Sequence, residues 1–333
     1  MDEPSVTELR PRAVALRALV LVALLGAVFF AIELLVPGAG KRLAAADPAW
    51  LAIAVVFEGL ALTGYAVFFH AVFGRAPYPL TKRRSTEIGL GELAGFALLP
   101  GGVGGPVLRF WSLRGGGMPW ATIGARSVVH AVLFNVPYLG AALVFGLGVV
   151  AGVLPGSAST LVALAPLALV VGSVALVLFV VASRRSRWLA GPRHWKTVTR
   201  EVLAVVPAGL RELPGQLRRP VGLAGSFAWW TFDCMVLWAA FHACGGNPAF
   251  AVVVLGYMLG QLGNLLPLPG GIGGVEPLML GIFVASGVDA GLAGAAIVCY
   301  RAIALGLQSV TGAIAVTVLV PAVRREQRAA ALA

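Results

Sequence analysis

The sequence predicts an all-α polytopic membrane protein, with about six spanning helices and two re-entrant hairpins arranged as an inverted repeat. Of its 333 residues, 59% are hydrophobic and only 12% are charged, too few charges to cover the surface of a soluble domain. Apolar runs long enough to cross about 30 Å of hydrocarbon recur along the chain. Two further apolar runs are interrupted by clusters of proline and glycine, which predicts that these two enter the membrane without crossing it.

The uninterrupted apolar runs are the candidates for spanning helices. The first of them is too long for the hydrophobic region of a signal peptide and is expected to remain as a membrane anchor. We expect the whole chain, 1–333, to form a single transmembrane domain. The candidate spans cover residues 14–36, 50–73, 121–150, 158–183, 221–243 and 289–320.

The basic residues predict how these segments are oriented. The formal net charge is +11, and the Arg and Lys residues lie in short stretches between apolar runs. This pattern is typical of cytoplasmic loops that face anionic lipid, and it argues against nucleic-acid binding. If every basic loop is cytoplasmic, residues 87–113 form a hairpin from the cytoplasm and residues 249–287 form one from the outside. Both chain termini are then cytoplasmic, in a bacterial-type plasma membrane.

This layout contains an internal repeat. The order span, span, hairpin, span occurs over residues 14–150 and again over 158–320, starting from opposite sides of the membrane. The stretch "LLPGGVGG" from Leu98 is echoed by "PLPGGIGG" from Pro267. Inverted repeats with broken helices near the membrane midplane are typical of transporters. Residues 184–220 mix basic and apolar side chains and predict an interfacial amphipathic helix, which either recruits anionic lipid or serves as an ordinary anchor.

Proline and glycine at the two breaks leave backbone groups unpaired inside the membrane. Such groups are tolerated where they are buried in protein or line a wet cavity. The second break is expected to lead into the N-terminus of a half-helix, whose free N–H groups could hold a lipid phosphate. The break residues are Pro100, Gly101, Gly102 and Gly104 in the first hairpin and Pro267, Pro269, Gly270, Gly271 and Gly273 in the second.

Charged residues at the same depth are the candidate site. Counting about 1.5 Å per residue places Glu276, after the second break, level with Arg301 on the next span. Charges at that depth are costly unless they are paired or hydrated. The pair either guides a substrate or locks the hairpin, and the sequence leaves both open. Near the first break, Arg109, Arg126 and His130 form a candidate cationic group for phosphate, which arginine binds in a bidentate manner.

Two acidic residues lie near the middle of predicted spans. Glu58 belongs to the second span and Asp233 to the fifth. Each could relay protons or could hydrogen-bond a neighbouring helix, and the sequence does not distinguish the two roles.

The second break and its surroundings carry a family resemblance. The Pro-x-Pro-Gly-Gly-x-Gly loop from Pro267, the following Glu276 and the pair Tyr300 and Arg301 resemble a signature of the lysylphosphatidylglycerol synthase transmembrane (flippase-like) family. A second signature fits the first break and Arg109. The chain departs from the family pattern at Pro106, where an acid is usual, and at His130. The resemblance implies the lipid-translocating part, without the C-terminal aminoacyl-transferase domain, and it places Tyr300 in the site.

We therefore expect a translocase that moves a phosphate-bearing or anionic membrane lipid between leaflets. A nucleophile elbow, a nucleotide-binding loop and a metal-binding motif are all absent from the sequence, so we expect neither an enzyme nor a cofactor or metal site. Two alternatives remain open at this point. One is a transporter of a small anion or solute, with or without proton coupling, and the other is a scaffold for an envelope enzyme. The sequence identifies no protein partner.

Overall fold

The structure, a computed structural model, describes residues 36–98, 103–155, 193–266 and 268–332, with isolated positions between 23 and 30 and between 165 and 172. Side chains between 193 and 204 are not described. The predicted spans 14–36 and 158–183 fall largely outside these residues. So do Pro100, Gly101, Gly102 and Pro267 at the breaks.

The described residues are mainly helical and contain no strand, which confirms the all-α prediction. Three helices are long and apolar enough to cross a membrane, within Pro48–Phe73, Trp120–Val150 and Ala290–Ala329. Two 3-10 turns, Gln261–Leu265 and Pro269–Gly271, lie in the second interrupted segment. The helices are α1 (Ala39–Ala44), α2 (Pro48–Phe73), α3 (Lys82–Leu98), α4 (Gly104–Gly115), α5 (Trp120–Val150), α6 (Arg193–Leu217), α7 (Val221–Ala243), α8 (Phe250–Gly260), α9 (Val275–Ala285) and α10 (Ala290–Leu332).

Helices α3 and α4 form the first hairpin, which begins and ends at one end of the molecule. At the start of α3, Arg84 forms a 3.0 Å ion pair with Glu326 near the end of α10. At the end of α4, Gly115 lies against Val323 of the same helix. The two ends of the hairpin therefore meet the C-terminal part of α10, as a re-entrant segment requires. The hairpin is longer than predicted and extends over 82–115.

The loop after α2 lies at this same end, which we call the basic face. It comprises the loop 74–81, the start of α3, the end of α4, the start of α7 and the end of α10. Partial burial lowers the pKa of the Arg75 guanidinium from its ordinary value, and the positive charge of nearby Arg219 lowers it further. Arg75, which follows α2, and Arg219, which precedes α7, therefore lie on the same face, in agreement with the charge pattern.

Helices α8 and α9 form the second hairpin, which starts from the opposite end of the molecule. They run antiparallel, with Gly256 facing the ring of Phe283 and Gly260 facing Met279. Near the ends of this hairpin, Arg42 pairs with Asp289 at 3.3 Å. We call this end the opposite face. The two hairpins thus enter from opposite faces, while the repeat boundaries 14–150 and 158–320 stay a prediction.

Helices α2 and α7 make the most extensive helix contact among the described residues. Asp47 caps α2 by accepting a 2.8 Å hydrogen bond from the Ala49 N–H, and Pro48 occupies the first helical position. Gly64 and Gly225 lie at the crossing, where a Cβ on Gly225 would come within 2.6 Å of the Phe68 nitrogen. Small residues permit this close approach. This pair of helices, the α2–α7 wall, packs against helices of both hairpins.

Helix α6 occupies most of the predicted linker 184–220. It packs on α5, since an added Cβ at Gly209 would contact the Ala125 carbonyl oxygen and Val128. The linker is therefore held against the helical body over at least this part of its length. Its predicted interfacial contact with anionic lipid stays a prediction.

Candidate functional site

A cavity of about 360 Å³ lies between the two hairpins. The tip of the second hairpin packs directly on the end of α3. There Gly270 has a φ of 57°, and an added Cβ would lie 3.4 Å from the Ala97 carbonyl oxygen. Polar and aromatic side chains from both halves of the chain line the cavity. Its polar lining consists of Glu92, His130, Asp233, Gln261, Asn264, Arg301 and Gln308, and its aromatic lining of Tyr65, Phe96, Phe134, Trp229, Trp230, Tyr257 and Tyr300.

Arg301 is the cation of this lining. Its Nε donates a 2.7 Å hydrogen bond to Glu276 Oε1, and its Nη2 donates to the Gly270 carbonyl. Only 4% of the residue is exposed. Its Nη1 has no hydrogen-bond partner among the described residues, although it belongs to a side chain that lines the cavity. Among the described residues, the guanidinium is therefore held through its Nε and Nη2 by Glu276 and Gly270.

Glu276 holds Arg301 in place and does not line the cavity itself. Its Oε1 accepts from Arg301, and its Oε2 accepts a 2.7 Å hydrogen bond from the Gly273 N–H. The two side chains are at matching depth, as helix counting predicts. The sequence predicts an anion near the free N–H groups at the start of α9. The Glu276 carboxylate is itself an anion at this position, and a carboxylate is favoured at a helix N-terminus.

A hydrogen-bonded network joins Arg301's neighbour Tyr300 to three other elements. Tyr300 and Tyr257 both donate to Asp233 Oδ2, the former at 2.9 Å. Gln261 donates to the Tyr300 hydroxyl at 3.0 Å and accepts from Asn264 at 2.6 Å. The network ties α7, α8, the tip of the second hairpin and α10 together. It fixes the polar wall of the cavity.

Glu58 extends this network away from the cavity. It is fully buried on α2 and accepts a 3.2 Å hydrogen bond from Gln308 of α10. Its helix packs on α7, with the adjacent rings of Phe57 and Phe232 stacked at a centroid distance of 6.0 Å, so Glu58 and Asp233 are neighbours at this contact. The two candidate proton carriers predicted from the sequence are thus neighbours, although only Asp233 lines the cavity.

The first hairpin contains an ion pair that the sequence analysis missed. Arg109 of α4 donates to Glu92 of α3 at 2.5 Å, and both side chains are buried. The guanidinium also lies over the rings of Phe73 and Phe110, 5.5 and 5.0 Å from their centroids. Glu92 lines the cavity, whereas Arg109 does not. The signal in the sequence was a single acid within the apolar run "LGELAGFALL".

The predicted cationic group near the first break is not assembled as one cluster. Arg109 is neutralised by Glu92, and Arg126 binds the carbonyl groups of Phe73, Arg75 and Ala76 at 2.8–3.1 Å. Buried arginines take the nearest acceptors because an unpaired charge is costly away from water. His130 does line the cavity, where its Nε2 lies 3.4 Å from the Tyr65 hydroxyl.

The described residues contain no group of three His, Cys, Asp or Glu side chains placed to hold a metal ion. The cavity offers donors, acceptors and aromatic faces.

The two hairpins with glycine at their tips and the adjacent residues Tyr300 and Arg301 are the features to compare with known proteins. The comparison points to one family. The family described as the lysylphosphatidylglycerol synthase TM region matches residues 14–312. The chain belongs to this family. The match confirms the resemblance seen at the two breaks and shows that the protein is embedded in a membrane.

This chain is also similar to a protein named UPF0104 membrane protein from Methanothermobacter thermautotrophicus. The two are 37% identical over 86 residues, which is 26% of each chain. The matched region therefore spans about a quarter of that relative, and this similarity adds only that the relative is a membrane protein.

Proposed function

We propose that this protein moves a phosphate-bearing lipid between the two leaflets of a membrane. The headgroup would cross through the cavity between the hairpins, while its acyl chains stay in the bilayer. The observation that carries this proposal is a cavity with polar groups in a largely aromatic and apolar lining, bordered near both hairpin tips by exposed apolar side chains.

The size of the cavity suits a headgroup. At ~30 Å³ per water molecule, its volume of about 360 Å³ corresponds to roughly a dozen waters. Small-molecule sites begin at about 300 Å³. The space accommodates a headgroup and not the two acyl chains of the same lipid, which must therefore lie outside it.

Arg301 is the proposed ligand for the phosphate. Its Nη1 is unoccupied by any described residue, and Glu276 and Gly270 fix the orientation of the guanidinium. Charge-assisted hydrogen bonds from arginine are well suited to phosphate oxygens. We propose that Tyr300 and His130 contact the headgroup, that Glu276 positions Arg301, and that Arg109 and Arg126 stabilise the surrounding structure.

The tips favour a lipid over a solute. Leu265 and Leu266, directly after the cavity residue Asn264, are 82% and 50% exposed. On the first hairpin, Val103 and Val107 flank the cavity residues Gly105 and Pro106 and are 60% and 45% exposed. Apolar side chains exposed beside a polar cavity are suited to acyl chains that remain attached to a bound headgroup.

Transfer between leaflets breaks no covalent bond, so the proposed activity is that of a carrier and not of an enzyme. The basic face is proposed to be cytoplasmic, in a plasma membrane, where its arginines attract anionic lipid. The lipid is accordingly expected to be anionic or to carry a phosphate in its headgroup.

Headgroup-labelled phosphatidylglycerol in proteoliposomes tests the proposal. Wild type is expected to expose inner-leaflet label to an external quencher faster than protein-free vesicles. Arg301→Ala removes charged hydrogen bonds of about 1.5–3 kcal/mol, so the rate should fall roughly ten- to a hundredfold. Glu276→Gln should also slow it, because Arg301 loses its support.

Arg42→Ala is the matched control, since Arg42 pairs with Asp289 on the opposite face, outside the cavity. It should move lipid at the wild-type rate. A folded Arg301→Ala variant as fast as wild type would contradict the proposed route. Uptake of labelled inorganic phosphate without lipid movement would instead indicate a solute transporter.

A further inference from the structure

Glu58 and Asp233 form a buried carboxyl pair beside the cavity. Glu58 on α2 is 0% exposed and Asp233 on α7 is 3% exposed. They lie on the two helices in most extensive contact, where the neighbouring rings of Phe57 and Phe232 stack with centroids 6.0 Å apart, so the two carboxyl groups are close neighbours. Each retains one buried oxygen, Oε2 of Glu58 and Oδ1 of Asp233, that accepts no hydrogen bond from any described donor.

The hydrogen-bond inventory favours one proton shared between these two groups. An ionised carboxylate only accepts hydrogen bonds, so two carboxyl groups can bond to each other only if one of them is protonated. Their other oxygens are already served, Glu58 by Gln308 and Asp233 by Tyr257 and Tyr300. Sharing a proton satisfies the two remaining oxygens at once. It also avoids two adjacent buried negative charges, which are costly in this environment.

The pair is connected to the headgroup site. Asp233 lines the cavity, and Tyr300 joins it to Gln261 at the second hairpin. Arg301 lies close enough to interact electrostatically with Asp233. Among the described residues, the other titratable groups around the pair are Cys234 beside Asp233 on α7, Tyr257 on α8 and, across the same cavity, Tyr65 on α2, Glu92 on α3 and His130 on α5. A change in the charge of the pair would therefore change its electrostatic attraction for Arg301.

We propose that the Glu58–Asp233 pair takes up and releases one proton in each transport cycle, and so couples lipid movement to a pH gradient. This coupling rests on the proposed lipid translocation. With the proton bound, the pair carries one negative charge and Arg301 is available to the headgroup phosphate. When the proton passes to water in the cavity, the pair gains a second negative charge and competes with the phosphate for Arg301. Proton release then favours headgroup release.

Infrared spectroscopy of the purified protein tests the shared proton without any transport. Wild type is expected to show the carbonyl stretch of a protonated carboxylic acid near neutral pH. Glu58→Gln and Asp233→Asn should each lose this band, because the new amide N–H can donate to the remaining carboxylate and keep the pair bonded. Cys234→Ala, beside Asp233 and also buried, should retain it. Absence of the band in wild type would overturn the proposal.

The labelled-lipid assay, run with and without a pH gradient, tests the coupling. In wild type and Cys234→Ala, the gradient should change the rate and the final leaflet distribution of the label. In Glu58→Gln and Asp233→Asn, rate and distribution should be the same with and without the gradient. The coupling alone would be overturned if the wild type moved lipid at the same rate and to the same distribution with and without the gradient. A Glu58→Gln variant whose rate or distribution changed with the gradient would also overturn it. A wild type that moves no lipid under either condition would overturn the proposed function, and the coupling with it, whatever the infrared band shows.

Discussion

The buried arginines Arg109 and Arg126 bind acceptors close to where they occur. Arg109 is paired with Glu92 within its own hairpin, and Arg126 binds backbone carbonyl groups at the end of α2. Arg301 differs in its position, because it is the arginine among the described residues that lines the cavity. Position at the cavity thus separates the arginines that hold the structure together from the one that can serve a ligand.

The Glu92–Arg109 pair gives a prediction about stability. Glu92→Leu leaves the Arg109 charge buried and unpaired, which should lower the free energy of unfolding by about 3–5 kcal/mol. Adding Arg109→Met should recover most of that loss, since apolar side chains of similar size can replace a buried ion pair. Thermal denaturation in detergent measures both. A double variant less stable than Glu92→Leu would show that the pair is not a closed structural unit.

The helices position the site through close backbone contacts. The α2–α7 wall depends on Gly64 and Gly225, and the second hairpin depends on glycines of α8 that face Phe283 and Met279 of α9. The hairpin tips then meet at Gly270 and α3. A small displacement of either helix pair would therefore move Arg301 relative to the cavity.

Gly225→Ala tests the α2–α7 contact. The new methyl group would lie 2.6 Å from the Phe68 nitrogen, so the helices must separate, at a cost of about 1–3 kcal/mol. Gly59→Ala on α2 is the control, because nothing lies within 4 Å of its added Cβ. Unfolding in detergent should show a loss for the first variant only. Equal stability of the two variants would place the helix contact elsewhere.

The architecture of the whole molecule could be predicted from charge and the length of apolar runs more fully than the geometry of its site could. Apolar length predicted α2, α5, α7 and α10, and the positive loops predicted that the two hairpins enter from opposite faces. Depth counting also found Glu276 and Arg301. What it could not supply was the pairing of Glu92 with Arg109, or of Glu58 with Asp233. Those contacts join different helices, and their rotation about the helix axis depends on packing that one sequence does not specify.

Cysteine labelling tests the orientation of the whole molecule. Arg83→Cys, on the basic face, should react only when the cytoplasmic side is accessible to a membrane-impermeant maleimide. Asn247→Cys, exposed on the opposite face, should react from the outside of intact cells. The native cysteines are buried and should not react in the folded protein. Labelling of both sites from one side would contradict the opposed hairpins.

The cavity between the hairpins is the proposed route for the headgroup, and filling it tests that route. Leu305 of α10 lines the cavity and is 3% exposed, so Leu305→Trp should narrow the passage. Val310→Trp, five residues further along α10 at a side chain that is 61% exposed, adds the same bulk outside the cavity. In proteoliposomes with headgroup-labelled lipid, Leu305→Trp should abolish most transfer between leaflets while Val310→Trp retains the wild-type rate. A folded Leu305→Trp variant that transfers lipid as fast as wild type would contradict the proposed route.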